Sequence, residues 1–326
     1  MKGKRGVFMR KLKELKREGS SYKLSYFFIK IKRIKYWSNF IYRLGIYILL
    51  FGLGLVFIFP FLYMIVTSLK SPDDLIDITV RWIPKTIYWS NYLVASGALK
   101  YFTYLKNSIF VTVLCVIGHN ISCSYIAYGY SRFKFKGRDF LFMFVLLSII
   151  IPPEVLVTPL YIQYSKFRWI NTYLPLIVPS FLGFGLRGGL YIFIFRQFFL
   201  GLPKDLENAA LIDGCGCIQT FWRIIFPVAK APILVSSVLS MIWHWNDSFE
   251  ATLYLTSSKK WFLPTMLPKM YDTLKSLQPD DMMAAIFYNE GVIMAGTFLT
   301  VLPLLLAYLF LQRQFMEGIE RSGLVE

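Results

Sequence analysis

Apolar residues in this sequence are gathered into long blocks rather than distributed with a soluble protein's short period. Six blocks stand out, at roughly 44–68, 107–130, 139–162, 173–197, 227–251 and 288–311. Each is near the roughly 20 residues that a helix needs to cross a bilayer. Hydrocarbon offers backbone groups no partner, so each block is predicted to be helical. Pro60, Pro152, Pro153, Pro179 and Pro303 fall inside these blocks. Kinks there are tolerated where neighbouring helices or a watery cavity cover the freed backbone. The expectation is an all-α integral membrane protein with six transmembrane helices.

Polar flanks set the orientation. The loop 131–138, SRFKFKGR, carries four basic residues and no acid, and residues 1–43 hold fourteen Lys or Arg against two Glu. Both fall on one side after two crossings, which the positive-inside tendency makes cytoplasmic. Segments 69–106 and 252–287 then lie outside, and the tail after Gln312 returns inside. The reading divides the chain into a basic N-terminal extension (1–43), a membrane domain (44–312) and a C-terminal tail (313–326). Within 21–43, Leu24, Phe27, Phe28 and Ile31 keep helical spacing among lysines. That segment reads either as a helix lying in the interface or as a disordered basic flank.

Composition adds exclusions. The 326 residues are 56% hydrophobic and 17% charged, where soluble domains carry about a quarter charged residues. The net charge of +17 sits mainly in the N-terminal extension, which favours a membrane surface over nucleic acid. Four cysteines, Cys115, Cys123, Cys215 and Cys217, form no disulfide framework. The first long apolar block begins only near Leu44, so no cleavable signal peptide is read. No G-x-x-x-x-G-K-[ST] occurs, so no phosphate-cradling loop is expected. His244, Asp247 and Glu250 are three apart, but only two histidines exist and no metalloenzyme signature accompanies them.

The longest cytoplasmic interruption is 198–227, FFLGLPKDLENAALIDGCGCIQTFWRIIFP. It reads as a short helix, a glycine stop and a second short helix. Pro203 suits a first turn, and Asp205 and Glu207 suit a helix N-terminus. Leu206, Ala209, Ala210 and Asp213 share helical spacing, and the paired alanines leave a thin face for another protein. Gly214 ends the helix. Ile218, Phe221 and Ile225 form an apolar stripe for packing, and Pro227 opens the next span.

Ionisable or polar side chains inside spans cost energy. Arg187 is expected mid-span, either facing a translocation cavity or paired with Glu154. Gly185 and Gly189 give a small-xxx-small spacing. His119 and Asn120 are expected to hydrogen-bond between helices. Trp243, His244, Trp245, Asn246 and Asp247 cluster at the end of the fifth block, as cavity lining or as interface anchors.

The segment Asn208-Ala209-Ala210, Asp213-Gly214, then Ile224-Ile225-Phe226-Pro227 resembles the coupling loop of ABC importer permeases, with Asn208 where that pattern has glutamate. Residues 60–70 (PFLYMIVTSLK), Asn91-Tyr92, Asn107-Ser108, SRFKFKGR, 152–161, WNDSF at 245–249 and Leu311-Gln312-Arg313 with Gly318 resemble the carbohydrate branch, in particular its maltose-type second permease subunit. The resemblance implies a cytoplasmic coupling helix between spans four and five, with Leu206, Glu207, Asn208, Ala209, Ala210, Asp213, Gly214, Phe221 and Pro227 serving the ATPase contact. It implies a candidate translocation path of Glu154, Arg187, Trp243, Trp245, Asn246 and Asp247. It further implies a heterodimer with a second homologous permease, two ATP-binding subunits, an extracellular solute-binding protein and a carbohydrate substrate. ATP and Mg would sit on the partner ATPase, with no cofactor on this chain, in the cytoplasmic membrane of a prokaryote. The alternatives are a permease for a non-carbohydrate solute, or a secondary transporter.

Overall fold

The computed structural model describes residues 21–185, 187–276 and 290–323, and their side chains over 40–185, 187–270, 272 and 290–314. Residues 1–20 of the basic extension lie outside the described residues. Helix α1 (Ser21–Ser68) is continuous for 48 residues, so 21–43 and the first apolar block form one helix. The chain divides between Tyr63 and Met64 into two units, the first being the N-terminal part of this helix.

The second unit is built around α4 (Tyr101–Arg132). The preceding helices are α2 (Pro72–Ile76) and α3 (Ser90–Ala98). Next come α5 (Arg138–Ile150), α6 (Pro153–Lys166), α7 (Leu174–Phe181) and α8 (Gly188–Gly201). Then follow α9 (Asp205–Ile212), α10 (Cys217–Val228), α11 (Lys230–Asn246) and α12 (Phe249–Tyr254). Last are α13 (Leu263–Ser276) and α14 (Glu290–Gly323). Among the described residues there is no strand.

Among the described residues, three stretches are long and apolar enough to cross a membrane: Phe40–Ser68, Tyr101–Arg132 and Glu290–Gln314. The other expected spans are broken. The third block becomes α5 and α6, bent by 104°. Pro152 is extended there, with φ −62° and ψ 134°, and two successive prolines lack the N–H groups that would continue the helix. The fourth block is divided into α7 and α8 by residues 182–187. The fifth starts at Lys230 rather than at Pro227. Pro227 belongs to α10, and a 77° bend at Ala229 separates α10 from α11.

Helix α4 holds its central place because one face is small. Ser108, Thr112, Cys115, Gly118, Ser122, Cys123 and Ala127 are all buried, which lets neighbouring backbones approach closely. A Cβ on Gly118 would sit 2.8 Å from the Phe181 ring. Three apolar clusters are threaded by α4. One joins Leu99 and Tyr104 to Trp245, Met270 and Val292. A second joins Tyr128 to Phe195, Phe199, Phe221 and Ile225. A third joins Val111 to Tyr164, Leu176 and Tyr254. All four cysteines are free thiols.

Polar side chains tie the helix ends together. Asn91 Nδ2 donates to the carbonyls of Ser68 and Lys70, at 2.9 and 2.8 Å. The hydroxyls of Ser68 and Tyr92 are 2.7 Å apart. Buried Lys70 Nζ donates to the Val80 and Arg81 carbonyls, both at 2.9 Å. Farther along the same loop, Lys85 with Thr79 holds the Asp77 carboxyl well below the usual carboxylate range; that pair is exposed and adds little to stability. Asn107 Nδ2 donates to the Lys259 and Trp261 carbonyls, and the Leu263 amide donates to Ser108 Oγ.

Asn91→Ala removes two buried donors and leaves two carbonyls unpaired, which costs about 1–3 kcal/mol. A lower unfolding temperature of the purified chain in detergent is the expected outcome. An unchanged one would show that water replaces the amide.

Candidate functional site

Two places concentrate unusual chemistry. The first is the elbow at 202–229. Helix α9 begins at Asp205, with the Lys204 carbonyl accepting from the Glu207 and Asn208 amides at 3.0 Å. Pro203 therefore precedes the helix instead of forming its first turn. Gly214 has φ +81°. The Cys215 amide donates to the Ala210 carbonyl at 2.9 Å and the Gly214 amide to that of Leu211 at 3.1 Å. This is a complete glycine stop, as the sequence predicts.

The faces of α9 differ from the expected ones. Ala210 is 1% exposed and packs on its own bundle, so the paired alanines do not share a free face. Ala209 and Asn208 are exposed. The outer surface is instead apolar, with Leu211 58%, Ile212 86% and Ile218 63% exposed. Ile218 thus leaves the stripe predicted for α10. Phe221 and Ile225 are fully buried, plugging between α4 and α8 through Tyr128 and Phe199. Phe221–Ile225 is a π-helical turn, the local widening that often marks functional segments.

The elbow is fastened by charge. Arg132 Nε lies 2.8 Å from Glu207 Oε1, with side chains only 6% and 17% exposed. The Arg132 terminal nitrogen donates to the Leu202 carbonyl at 2.9 Å. One guanidinium at the end of α4 thus holds both the end of α8 and the start of α9. The sequence reading passed over Glu207 as a partner. Its signal was the basic loop SRFKFKGR, which supplies the arginine.

The second place is a polar seam among α4, α8 and α11. Asn120 Nδ2 donates to Ser237 Oγ at 2.8 Å, and Ser236 Oγ donates to Asn120 Oδ1 at 2.5 Å. Ser240 Oγ lies 3.2 Å from His119 Nδ1 and 3.3 Å from His244 Nδ1. His119 and Asn120 therefore bond between helices, as expected. His119 also stacks near Tyr191 and His244, with ring centroids 4.8 and 5.2 Å away. His119 Nε2 and the Tyr191 hydroxyl are buried in this seam.

Above this seam is the break between α7 and α8. Gly183 and Gly185 take φ +71° and +107°. Arg187, expected mid-span, instead caps α8 at φ +65°, a left-handed conformation costing a bulky residue about 1–3 kcal/mol. Four glycines in the seven residues from 183 to 189 were the sequence signal for this break. Gly185 and Gly189 do not share a helical face. Gly185 serves the turn, and Gly189 admits α5, since a Cβ there would meet the Val145 carbonyl at 2.8 Å.

The proposed path residues separate. The Arg187 guanidinium lies 4.4 Å over the Trp243 ring. Glu154 does not pair with it among the described residues. It occupies the exposed first turn of α6, where the helix dipole favours negative charge. Trp245 is buried and donates to the Thr300 carbonyl at 3.3 Å, wedged against α14 by its apolar rings. Asn246 donates to the Ile242 carbonyl. Asp247 accepts from the Glu250 amide at 3.1 Å, capping α12. Arg187 and Trp243 come together in one place, and Glu154 and Asp247 in another, around Glu250.

The fold and these sites define a helical membrane protein with a fastened polar elbow. The sequence matches the family described as "Binding-protein-dependent transport system inner membrane component" over residues 120–320, and the chain belongs to that family. It is 31% identical to "Probable ABC transporter permease protein YurM" of Bacillus subtilis, with 91% of this chain and 93% of that protein covered. It is 28% identical to "Arabinooligosaccharides transport system permease protein AraQ" of Halalkalibacterium halodurans, covering 83% of this chain and 92% of the other. Its fold is similar to a chain from "Crystal structure of a bacterial ABC transporter involved in the import of the acidic polysaccharide alginate", with TM-score 0.72, 23% identity, and 85% and 98% covered.

Breaking a buried ion pair by removing one partner costs about 3–5 kcal/mol. Glu207→Gln is expected to loosen the elbow, read as faster hydrogen exchange over 202–216. The exchanged pair Arg132→Glu with Glu207→Arg is expected to recover part of that protection. Equal exchange in Glu207→Gln and the parent would show that the pair bears no load.

Proposed function

We propose that this chain is one of two permease subunits of an ATP-driven oligosaccharide importer, and that its elbow receives the ATPase stroke. The observation that carries the reading is the Arg132–Glu207 pair. It gives a family permease an exposed helical tip rigidly attached to the central helix. Relatives named for arabinooligosaccharides, starch degradation products and diacetylchitobiose support a saccharide substrate.

The chain crosses the cytoplasmic membrane of a prokaryote six times. Helices α5 with α6 and α7 with α8 form broken third and fourth spans, and both termini are cytoplasmic. It pairs with a second homologous permease. Two ATP-binding subunits hold ATP and Mg, and an external binding protein delivers the sugar. The apolar tip of Leu211, Ile212 and Ile218 docks into an ATPase groove, with Ala209 and Asn208 beside it. Closure of the ATPases pushes on α9. Arg132 passes the displacement to α4, and the buried Phe221 and Ile225 pass it to α8. Packed helices with two stable arrangements convert that push into alternating access. The path runs along the α4, α8 and α11 seam, past Trp243 and Arg187.

Ile212→Asp places a charge on the exposed tip without entering the core. The expected outcome is an intact permease pair that co-purifies with at least tenfold less ATPase. Undiminished ATPase recovery, with normal ATP-driven uptake, would remove the elbow from the contact.

A further inference from the structure

Arg187 sits at a break in a membrane helix without a counter-charge. Among the described residues no carboxylate lies within 4 Å of its guanidinium, and its Nε is buried without a hydrogen-bond partner. Its guanidinium lies 4.4 Å over the Trp243 ring, which is itself 39% exposed. The stacking fixes the plane of the guanidinium, and a fixed planar fork is the form in which arginine takes a carboxylate by two parallel hydrogen bonds.

One further feature raises the positive potential at that point. Arg187 is the N-cap of α8, a 14-residue helix, and contributes no side-chain cap, so the positive end of the helix dipole lies at this break. The two acids nearest in sequence to Trp243 are otherwise engaged or remote: Asp247 accepts from the Glu250 amide, and neither it nor Glu250 makes an ion pair among the described residues. Beneath the break, fully buried His119 brings its Nε2 to 3.5 Å from where a Cβ on Gly185 would stand. An arginine in a strained left-handed conformation, unneutralised within a bundle, is retained only where something compensates it.

Resting on the importer reading above, we infer that Arg187 and Trp243 form a substrate subsite of this chain that reads the carboxylate of an acidic sugar. Trp243 offers its exposed face to the pyranose ring. Arg187 takes the carboxylate in bidentate fashion. The substrate is an oligosaccharide containing uronic acid.

The test uses the complete importer, with both permeases, the ATPases and the binding protein, in liposomes. Uptake is measured for di- and trisaccharides of galacturonate, glucuronate and mannuronate, and for the same oligosaccharides after carboxyl reduction. These pairs share linkage and stereochemistry and differ in charge. The expected result is at least tenfold better uptake of an acidic member than of its reduced counterpart. Arg187→Gln should erase that difference while the ATPases still co-purify, and Arg187→Lys should restore part of it. Equal uptake of both members, or equal loss of both in Arg187→Gln, overturns the subsite and leaves the saccharide importer standing. Uptake of neither series by an assembled complex that hydrolyses ATP removes the saccharide reading and the subsite together.

Discussion

A backbone carbonyl or amide that leaves helical geometry inside hydrocarbon has no water to turn to. The architecture of this chain follows from how each such departure is repaired. Where α1 ends, Asn91 supplies two donors to the Ser68 and Lys70 carbonyls. Along α7 and where α8 begins, α4 adds short polar donors to their carbonyls. Cys115 donates to the Leu176 carbonyl, Ser122 to that of Ser180, and Cys123 to that of Gly188. These residues are small, so they also permit the close helix crossing. The same positions of α4 therefore serve packing and hydrogen bonding at once, and α4 is central because it carries both.

Much of this was legible in the sequence, for a physical reason. A span's length and a glycine stop are local properties, so the apolar blocks and the Gly214 turn could be read directly. The Pro152-Pro153 disturbance was equally local. What stayed hidden depends on distance in sequence. Glu207 finds Arg132 from 75 positions away, and nothing in the spacing of α9 announces that partner. Ala210 and Ile218 were misassigned for the same reason. A helix pattern gives faces, but which face meets the bundle depends on the entry angle that Arg132 and the Phe221 plug impose. Trp245 shows the limit of reading by residue type. An aromatic near a sugar-like motif invites a ligand role, and its burial against Thr300 gives it a core role.

The break at 182–187 was missed although its signal was local. Four glycines within seven residues, two with positive φ, spell a turn more plainly than a span. The apolar count of the block outweighed them. Once the break is recognised, Arg187 changes meaning, from an isolated mid-helix charge to the left-handed cap at the start of α8.

The two sites are then mechanically one. Helix α8 starts at Arg187 and ends where the Leu202 carbonyl accepts from Arg132. Its 14 residues span about 21 Å at 1.5 Å per residue. A rod of that length, packed through Phe195 and Phe199 on α4 and α10, cannot bend to absorb a push at one end. It joins the Arg132 contact at one end to the Arg187 cap at the other as one continuous helix. Beneath that cap, Ser240 is shared by His119 and His244, and the first turn of α8 rests through Tyr191 on this polar seam between α4 and α11.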